Sequence, residues 1–193
     1  MLKQAECSGL DGLMVVMFRI FWGLILGDQA MERTVKPIPE GYQTITPVLT
    51  VRDAARVIDF YKEAFGAQER FRMPTPDGRW VAHAELKIGD SVFMPSDEMP
   101  GQECGSPLTL GGTPVGFYVY VEDVDAAFDR AIAAGATVKR PVQDTFWGDR
   151  TGELTDPSGY VWTLATHVED VSPDELARRG REAFEKMLQT AGR

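Results

Sequence analysis

The chain has 193 residues, of which 44% are hydrophobic and 25% charged, and its formal net charge is −9. That length and composition are typical of one globular domain or of two small modules that share a core. The acidic balance argues against binding to the phosphate backbone of a nucleic acid. The two cysteines are far apart and lack paired spacing, which fits a reducing, cytoplasmic setting.

Residues 1–35 are expected to form an N-terminal extension to the folded domain. Residues 10–27 are strongly apolar, but Asp11 and Arg19 interrupt them. Three interpretations are open: an in-frame extension upstream of a native start at Met31, a helix that packs on the domain or on a partner, or a membrane anchor. A membrane-spanning helix needs about 20 predominantly apolar residues, so we expect no association with a membrane.

A first module is predicted over residues 44–97, within a domain that spans residues 36–171. Alternation of residues 44–51 predicts a strand, and helical spacing of apolar residues predicts a helix that Asp53 caps and Gly66 ends. Three further strands complete the module, over residues 68–73, 79–88 and 91–95.

A second module is predicted over residues 115–171, beyond a Gly- and Pro-rich linker at 98–114. Its first strand and helix repeat those of the first module, and Asp123 takes the capping position. The repeat implies two similar modules that face one another, with the natural site between them. Later strands are predicted over residues 137–142, 152–154 and 160–166, with a loop over 144–150. A C-terminal helix, residues 172–193, is expected to cover a sheet or to pack on a partner subunit.

Four segments carry a resemblance to a known family. They are IDFYKEAFGA, HAELKIGDSVFM, GDRTGELTDPSGYVWTLATH and VEDVSPDEL. In this order they are similar to segments of the vicinal oxygen chelate superfamily, which holds glyoxalase I, extradiol dioxygenases and bleomycin-resistance proteins, and most of all to its PhnB-like branch. The resemblance implies an α+β fold in which paired β-α-β-β-β modules form a cup-shaped, curved mixed sheet. It also implies a homodimer, with the cup formed within one chain or across two.

The resemblance further implies a divalent metal at the centre of the cup, held by His and Glu from the first and last strands of each module. Matched strand by strand, the four ligand positions fall on Thr46, Met94, Gly116 and Thr163. Glycine offers no side chain, methionine a soft thioether, and threonine a neutral hydroxyl, so none suits a hard divalent ion. We therefore expect no metal and no other cofactor, with Thr46, Met94 and Thr163 lining a ligand site instead.

His83 and Glu85 are the catalytic candidates. They lie two residues apart on a predicted strand, so their side chains point to the same face of the sheet. If that face is the inside of the cup, the pair can act as an acid and base or anchor a substrate. Alternatively, the two side chains satisfy one another or a nearby backbone group. His167, the other histidine, is expected to be a structural or surface residue.

Aromatic residues are the main candidates for ligand contacts. Tyr118 and Tyr120 share one face of a strand, and they are expected either to line the second half of the cup or to pack in the core. Trp147 is expected at the rim. Arg150 is expected either to clamp an anionic group of the ligand or to form a salt bridge with Asp149 in its loop.

These patterns predict a glyoxalase-like or bleomycin-resistance-like protein that binds a small apolar or aromatic molecule in a metal-free cup. The alternative is a metal-independent isomerase or lyase of the glyoxalase-like type that uses His83 or Glu85 as general base. A third possibility is that the two modules serve mainly as an interaction scaffold.

Overall fold

The computed structural model describes residues 35–101 and 104–191. The predictions about residues 10–27 and about a native start at Met31 fall outside these residues. The chain divides into two units, residues 1–40 and residues 41–193; the predicted bounds of the extension and of the domain stay predictions. None of the helices in the described part of the chain combines the length and apolarity that a bilayer crossing requires.

Two modules of the same architecture follow one another along the chain, which confirms the predicted order of elements. Module one consists of β1 (Val48–Val51), α1 (Ala54–Phe65), β2 (Gln68–Pro74), β3 (Val81–Ile88) and β4 (Ser91–Asp97). After a short helix, α2 (Pro107–Leu110), module two consists of β5 (Gly116–Tyr120), α3 (Val124–Ala133), β6 (Thr137–Asp144), β7 (Asp149–Thr155) and β8 (Val161–His167). The chain continues into α4 (Pro173–Ala191).

β1 is shorter than predicted, and the predicted linker contains a short helix. β1 begins at Val48 rather than at residue 44, because Pro47 has no N–H with which to extend the ladder. The segment predicted as a Gly- and Pro-rich linker contains α2, which starts with Ser106 as its N-cap and Pro107 at the first helical position. Both signals are present in the sequence, but the surrounding glycines hide them.

The connection between β6 and β7 is shorter than the predicted loop. β6 continues to Asp144 and β7 starts at Asp149, so the loop shrinks to residues 145–148. Gly148 adopts φ 95°, and a β-carbon at this position would collide with the carbonyl oxygen of Glu169. The tight turn therefore requires glycine, and it places Asp149 in a strand.

The strands form two four-stranded mixed sheets, with orders β1-β4-β3-β2 and β5-β8-β7-β6. In each sheet the first and last strands of the module pair in parallel, and the other neighbours are antiparallel. The predicted α+β fold with paired β-α-β-β-β modules is confirmed, with one four-stranded mixed sheet in each module. β1 and β5 are edge strands of their sheets.

The last strand of each module caps the helix of that module in the same way. The N–H of Ala54, at the start of α1, donates to Oδ1 of Asp97 over 2.8 Å. The N–H of Val124, at the start of α3, donates to the Thr166 hydroxyl over 2.9 Å. Each bond satisfies a donor that a helix N-terminus would otherwise leave open, so the internal repeat extends to individual hydrogen bonds.

The hydrophobic core joins the two modules through α1, α3 and one face of each sheet. Nε of Arg130 in α3 donates to the carbonyl oxygen of Ala64 in α1 over 3.0 Å. Asp156 is 5% exposed, and its Oδ2 accepts from the Tyr61 hydroxyl at 2.7 Å and from Nε1 of Trp162 at 2.9 Å. Burial raises the pKa of Asp156 above its ordinary value even though these donors favour the carboxylate.

Candidate functional site

The positions that the resemblance assigns to a metal do not offer a metal-binding set. Met94 pairs in register with Val48, and Thr163 pairs with Tyr118, so both lie on the sheet faces opposite the helices. Thr46 precedes β1, and its hydroxyl donates to a backbone carbonyl. Among the described residues, no three His, Cys, Asp or Glu side chains are grouped to hold a metal. The donor set therefore does not fit the divalent ion of the superfamily's enzymes.

His83 and Glu85 lie together on the face of β3 that points away from α1. Nε2 of His83 is 3.7 Å from Oε1 of Glu85, and both side chains are partly exposed. The ring of Phe71 in β2 lies 6.2 Å from the imidazole. A hydrogen bond with Glu85 raises the pKa of Tyr42. The pair thus forms a polar patch on module one, and its catalytic role stays a prediction.

A buried carboxylate organises the equivalent face of module two. Asp149, at the start of β7, is 3% exposed. Its Oδ2 accepts from the hydroxyls of Tyr118 and Tyr120, at 2.8 and 3.0 Å, and from Nε1 of Trp147 at 3.2 Å. Its Oδ1 lies 2.8 Å from Nδ1 of His167. Four side chains from three segments of the module converge on this group, which we call the Asp149 cluster.

The hydrogen bonds of the Asp149 cluster decide its charge. Burial alone would raise the pKa of Asp149, but the bonds from His167, the two tyrosines and Trp147 lower it below its ordinary value. Burial and the Asp149 carboxylate together raise the pKa of Tyr118 to about 12. Hydrogen bonds with Asp149 and Asp170 raise the pKa of His167. At neutral pH the cluster therefore contains a carboxylate, two neutral phenols and an imidazole that retains its proton more strongly than usual.

His167 and the central role of Asp149 were not predicted. Asp149 pairs in register with His167 across β7 and β8, which places their side chains side by side. The sequence predicts a loop at Asp149 and leaves His167 beyond the last strand, so the pairing is hidden. A prediction that started β7 three residues earlier and ended β8 one residue later would have placed both residues in strands.

The aromatic residues of the cluster combine fixed polar ends with exposed rings. Tyr118 is 46% exposed, Tyr120 64% and Trp147 40%, although the polar atom of each is bound to Asp149. The rings of Tyr118 and Tyr120 lie 5.2 Å apart at an angle of 55°. The structure thus brings together three of the predicted ligand residues and orients them through one carboxylate.

Arg150 lies on the other side of the sheet from the Asp149 cluster. Successive residues of a strand point to opposite faces, and the guanidinium of Arg150 contacts Asp125 of α3 at 2.8 Å and Asp144 at 3.0 Å. It therefore forms a salt bridge, but with these two carboxylates rather than with Asp149. Its predicted role as a clamp for a ligand stays a prediction.

A groove of about 710 Å³ lies between β5 and the β3–β4 hairpin. Apolar aromatic side chains form much of its wall, and Tyr118 and Tyr120 also line it; the apolar ones are Phe65, Phe93, Phe117 and Trp162. His83, Glu85, Met94 and Thr163 do not line this groove. The predicted site residues therefore do not form one site within the chain: some lie on module one, some in the Asp149 cluster, and Arg150 lies on the opposite face of module two.

Comparison with known proteins gives matches over most of the domain. A family model described as Glyoxalase/Bleomycin resistance protein/Dioxygenase superfamily matches residues 43–164. A protein of Mycobacterium bovis, described as uncharacterized protein Mb0911c, is 47% identical over 136 residues, which cover 68% of this chain and 88% of that protein.

Two solved structures are similar in fold. The Arabidopsis thaliana gene product At5g48480 is 30% identical with a TM-score of 0.51, and the match covers 64% of this chain and 98% of that one. TioX from Micromonospora sp. ML1 is 28% identical with a TM-score of 0.50, over 67% of this chain and 100% of that one.

Proposed function

Because the chain belongs to the glyoxalase/bleomycin resistance protein/dioxygenase superfamily, we propose that it binds a small apolar or aromatic molecule in a metal-free site. The observation that carries the proposal is the Asp149 cluster. It presents the rings of Tyr118, Tyr120 and Trp147 to solvent while their polar atoms are held on Asp149. Rigid aromatic surfaces of this kind bind flat ligands at little cost in conformational entropy.

The adjoining groove supports the same proposal. Its volume of about 710 Å³ lies within the range of small-molecule sites. Tyr118 and Tyr120 belong both to the cluster and to the groove wall, so the groove adjoins the aromatic face at the edge strand β5. A mostly apolar wall with a few polar groups at one end is the usual composition of such sites.

A ligand screen by thermal shift tests the proposal. A panel of small aromatic and aliphatic compounds should contain members that raise the melting temperature, and the shift should be lost in the Tyr118→Ala and Tyr120→Ala variants. Phe184→Ala is the matched control, because Phe184 is an aromatic residue on α4 with 57% exposure and lies outside the cluster. Equal shifts in the tyrosine variants and the parent protein would refute the site.

The metal-free part of the proposal has its own test. The protein is expressed with Zn, Ni, Mn and Fe present, dialysed against a mild chelator, and analysed by inductively coupled plasma mass spectrometry. We expect far less than one divalent ion per chain, because Thr46, Met94, Gly116 and Thr163 provide no suitable donor set. A stoichiometric, tightly held ion would overturn the proposal that the site is metal-free. Whether the protein binds a small molecule would still be decided by the thermal-shift screen.

We also propose that a second copy of the chain covers the exposed sheet faces and completes the site as a homodimer. Val48 lies on β1 and is 71% exposed, and Tyr120 lies on β5 and is 64% exposed. Both β1 and β5 are edge strands. Size-exclusion chromatography with light scattering should give a dimer, and Val48→Lys should shift it toward monomer. A parent protein that is monomeric at high concentration would refute the dimer.

An isomerase or lyase is the second candidate function, favoured by the distance of 3.7 Å between His83 and Glu85 on an accessible face. A general base that removes a carbon-bound proton exchanges it with solvent. Once the screen identifies a ligand, its incubation with the protein in D₂O should lead to deuterium incorporation, observable by NMR. His83→Ala and Glu85→Gln should abolish the incorporation without unfolding the protein. If the parent protein incorporates no deuterium into the ligand, the isomerase or lyase hypothesis is rejected and ligand binding stays the proposed function.

A further inference from the structure

The hydrogen bonds of His167 define which of its two ring nitrogens can meet a ligand. Asp149 is a buried carboxylate whose Oδ2 already accepts three hydrogen bonds, and its Oδ1 lies 2.8 Å from Nδ1 of His167. An ionised carboxylate can only accept hydrogen bonds, so Nδ1 carries a proton that it donates to Asp149. Nε2 is therefore directed away from the buried side of the cluster and is the nitrogen available for contact.

The group that Nε2 now contacts is a surface carboxylate of the same chain. Oδ1 of Asp170 lies 3.1 Å from Nε2, and the Asp170 side chain is fully exposed. An ion pair between exposed groups contributes little to stability, so another anion can replace Asp170 at small cost. The contact shows where an anionic oxygen is accepted, on the imidazole that shares Asp149 with Tyr118 and Tyr120.

We propose that the Asp149 cluster is a binding site for aromatic carboxylates. The carboxylate of the ligand takes the place of Asp170 on the Nε2–H of His167, and its ring packs against the exposed rings of the cluster. This inference rests on the proposed function, since it names the ligand class of the same aromatic face. It adds a role for His167, as the donor that selects an anion over a neutral molecule of equal shape.

The ionisable groups around His167 are consistent with this role. Asp149 of β7 and Asp170 of the following segment are bonded to the imidazole, and the Tyr118 and Tyr120 hydroxyls of β5 reach it through Asp149. Both carboxylates raise the pKa of His167, so the imidazole stays a double donor to higher pH than usual. The next acidic residue, Glu169, is already paired with Arg179 of α4.

Titration with two isosteric probes, benzoate and benzamide, tests the inference. Binding is followed at about pH 6 by ¹H–¹⁵N NMR of the full-length protein, where the His167 imidazole is protonated. We expect benzoate to shift the resonances of His167 and Trp147 and to bind about ten-fold or more tightly than benzamide, because a charge-assisted hydrogen bond is lost in the amide. The preference should shrink as the pH rises through the pKa of His167.

Three variants separate a binding role from a structural one. His167→Gln should reduce the affinity for benzoate to that for benzamide, with the fold checked by the dispersion of the spectrum. Asp170→Asn removes the internal competitor, so it should tighten benzoate binding about two- to five-fold. Asp174→Asn changes the net charge equally at an exposed site on α4, and should leave the affinity unchanged. If His167 had only a structural role, Asp170→Asn would not be expected to increase the affinity for benzoate.

The outcomes are decisive in both directions. Benzamide binding as tightly as benzoate would overturn the inference while leaving the proposed aromatic site intact. Equal gains in Asp170→Asn and Asp174→Asn would show a general charge effect and would also overturn it. If neither probe binds up to its solubility limit, the carboxylate site is refuted, and the thermal-shift screen then decides separately whether the aromatic face binds any ligand.

Discussion

The hydrogen bond between Tyr61 and Asp156 joins the two modules, and its removal should lower stability in a way that depends on pH. The Tyr61 hydroxyl is buried and donates to Oδ2 of Asp156 over 2.7 Å. Tyr61→Phe removes this donor and hardly changes the packing. A hydrogen bond to a charged group contributes about 1.5–3 kcal/mol to the free energy of unfolding. Asp156 keeps Trp162 Nε1 as a donor, so we expect a loss near the lower end of that range at neutral pH.

The pH dependence follows from the pKa of Asp156. Burial raises this pKa in the folded protein, so keeping the group ionised costs stability once the pH exceeds the folded pKa, and the cost disappears below the unfolded pKa. Tyr61→Phe removes a bond to the carboxylate and raises the folded pKa further. The loss caused by the substitution is therefore largest at neutral pH and shrinks as the pH falls.

Urea unfolding followed by circular dichroism, at about pH 7.5 and about pH 4.5, measures both effects. Tyr160→Phe is the matched control, because its hydroxyl donates to the carbonyl oxygen of Thr50 over 3.1 Å. A neutral bond of this kind contributes about 0.5–1.5 kcal/mol, and its loss should not vary between the two pH values. The hydrogen bond to an ionised Asp156 would be refuted if Tyr61→Phe lowered the free energy of unfolding equally at the two pH values. It would also be refuted if that decrease were no larger than the decrease caused by Tyr160→Phe.

Three other substitutions test the remaining features of the fold and the site. Gly148→Ala should cost about 2 kcal/mol or more in thermal unfolding, because the residue has φ 95° and its β-carbon would strike Glu169; Gly66→Ala, at φ 65° with open space around it, should cost less. Asp97→Ala leaves the buried N–H groups of Ala54 and Val81 unpaired, so chemical denaturation should show a loss of at least about 2 kcal/mol. Asp149→Asn should lower the pKa of His167 in an NMR titration, with His83 as internal reference, since the Asp149 hydrogen bond is the main cause of its rise. An unchanged His167 pKa would contradict the assigned contact.

The order of elements could be predicted because it depends on local signals. The caps at Asp53 and Asp123 and the turn at Gly66 lie next to the helices they bound, and the structure confirms all three. The packing of one module on the other could not be predicted in this way. It involves contacts between distant residues, such as the bond from Tyr61 to Asp156, 95 positions apart.

The candidate site was partly predictable for the same reason. Alternation along β5 places Tyr118 and Tyr120 on one face, and this requires no knowledge of the partner strands. The Asp149 cluster requires the register of β7 against β8 and the start of β7 at Asp149, directly after the turn at Gly148. With the strand start placed after Arg150, Asp149 falls in the predicted loop, and the pairing with His167 is lost.

A comparison of the two modules indicates that the Asp149 cluster is not needed for the fold. Positions that face the helices carry the same class of residue in both modules: Leu86 and Leu154, Phe93 and Trp162. On the opposite face the modules differ, because the register places Asp149 where module one has Val81, and Tyr118 where it has Val48. Module one builds the same sheet with those apolar residues. A buried carboxylate that the architecture does not require, and whose burial costs free energy, is consistent with the proposed ligand site.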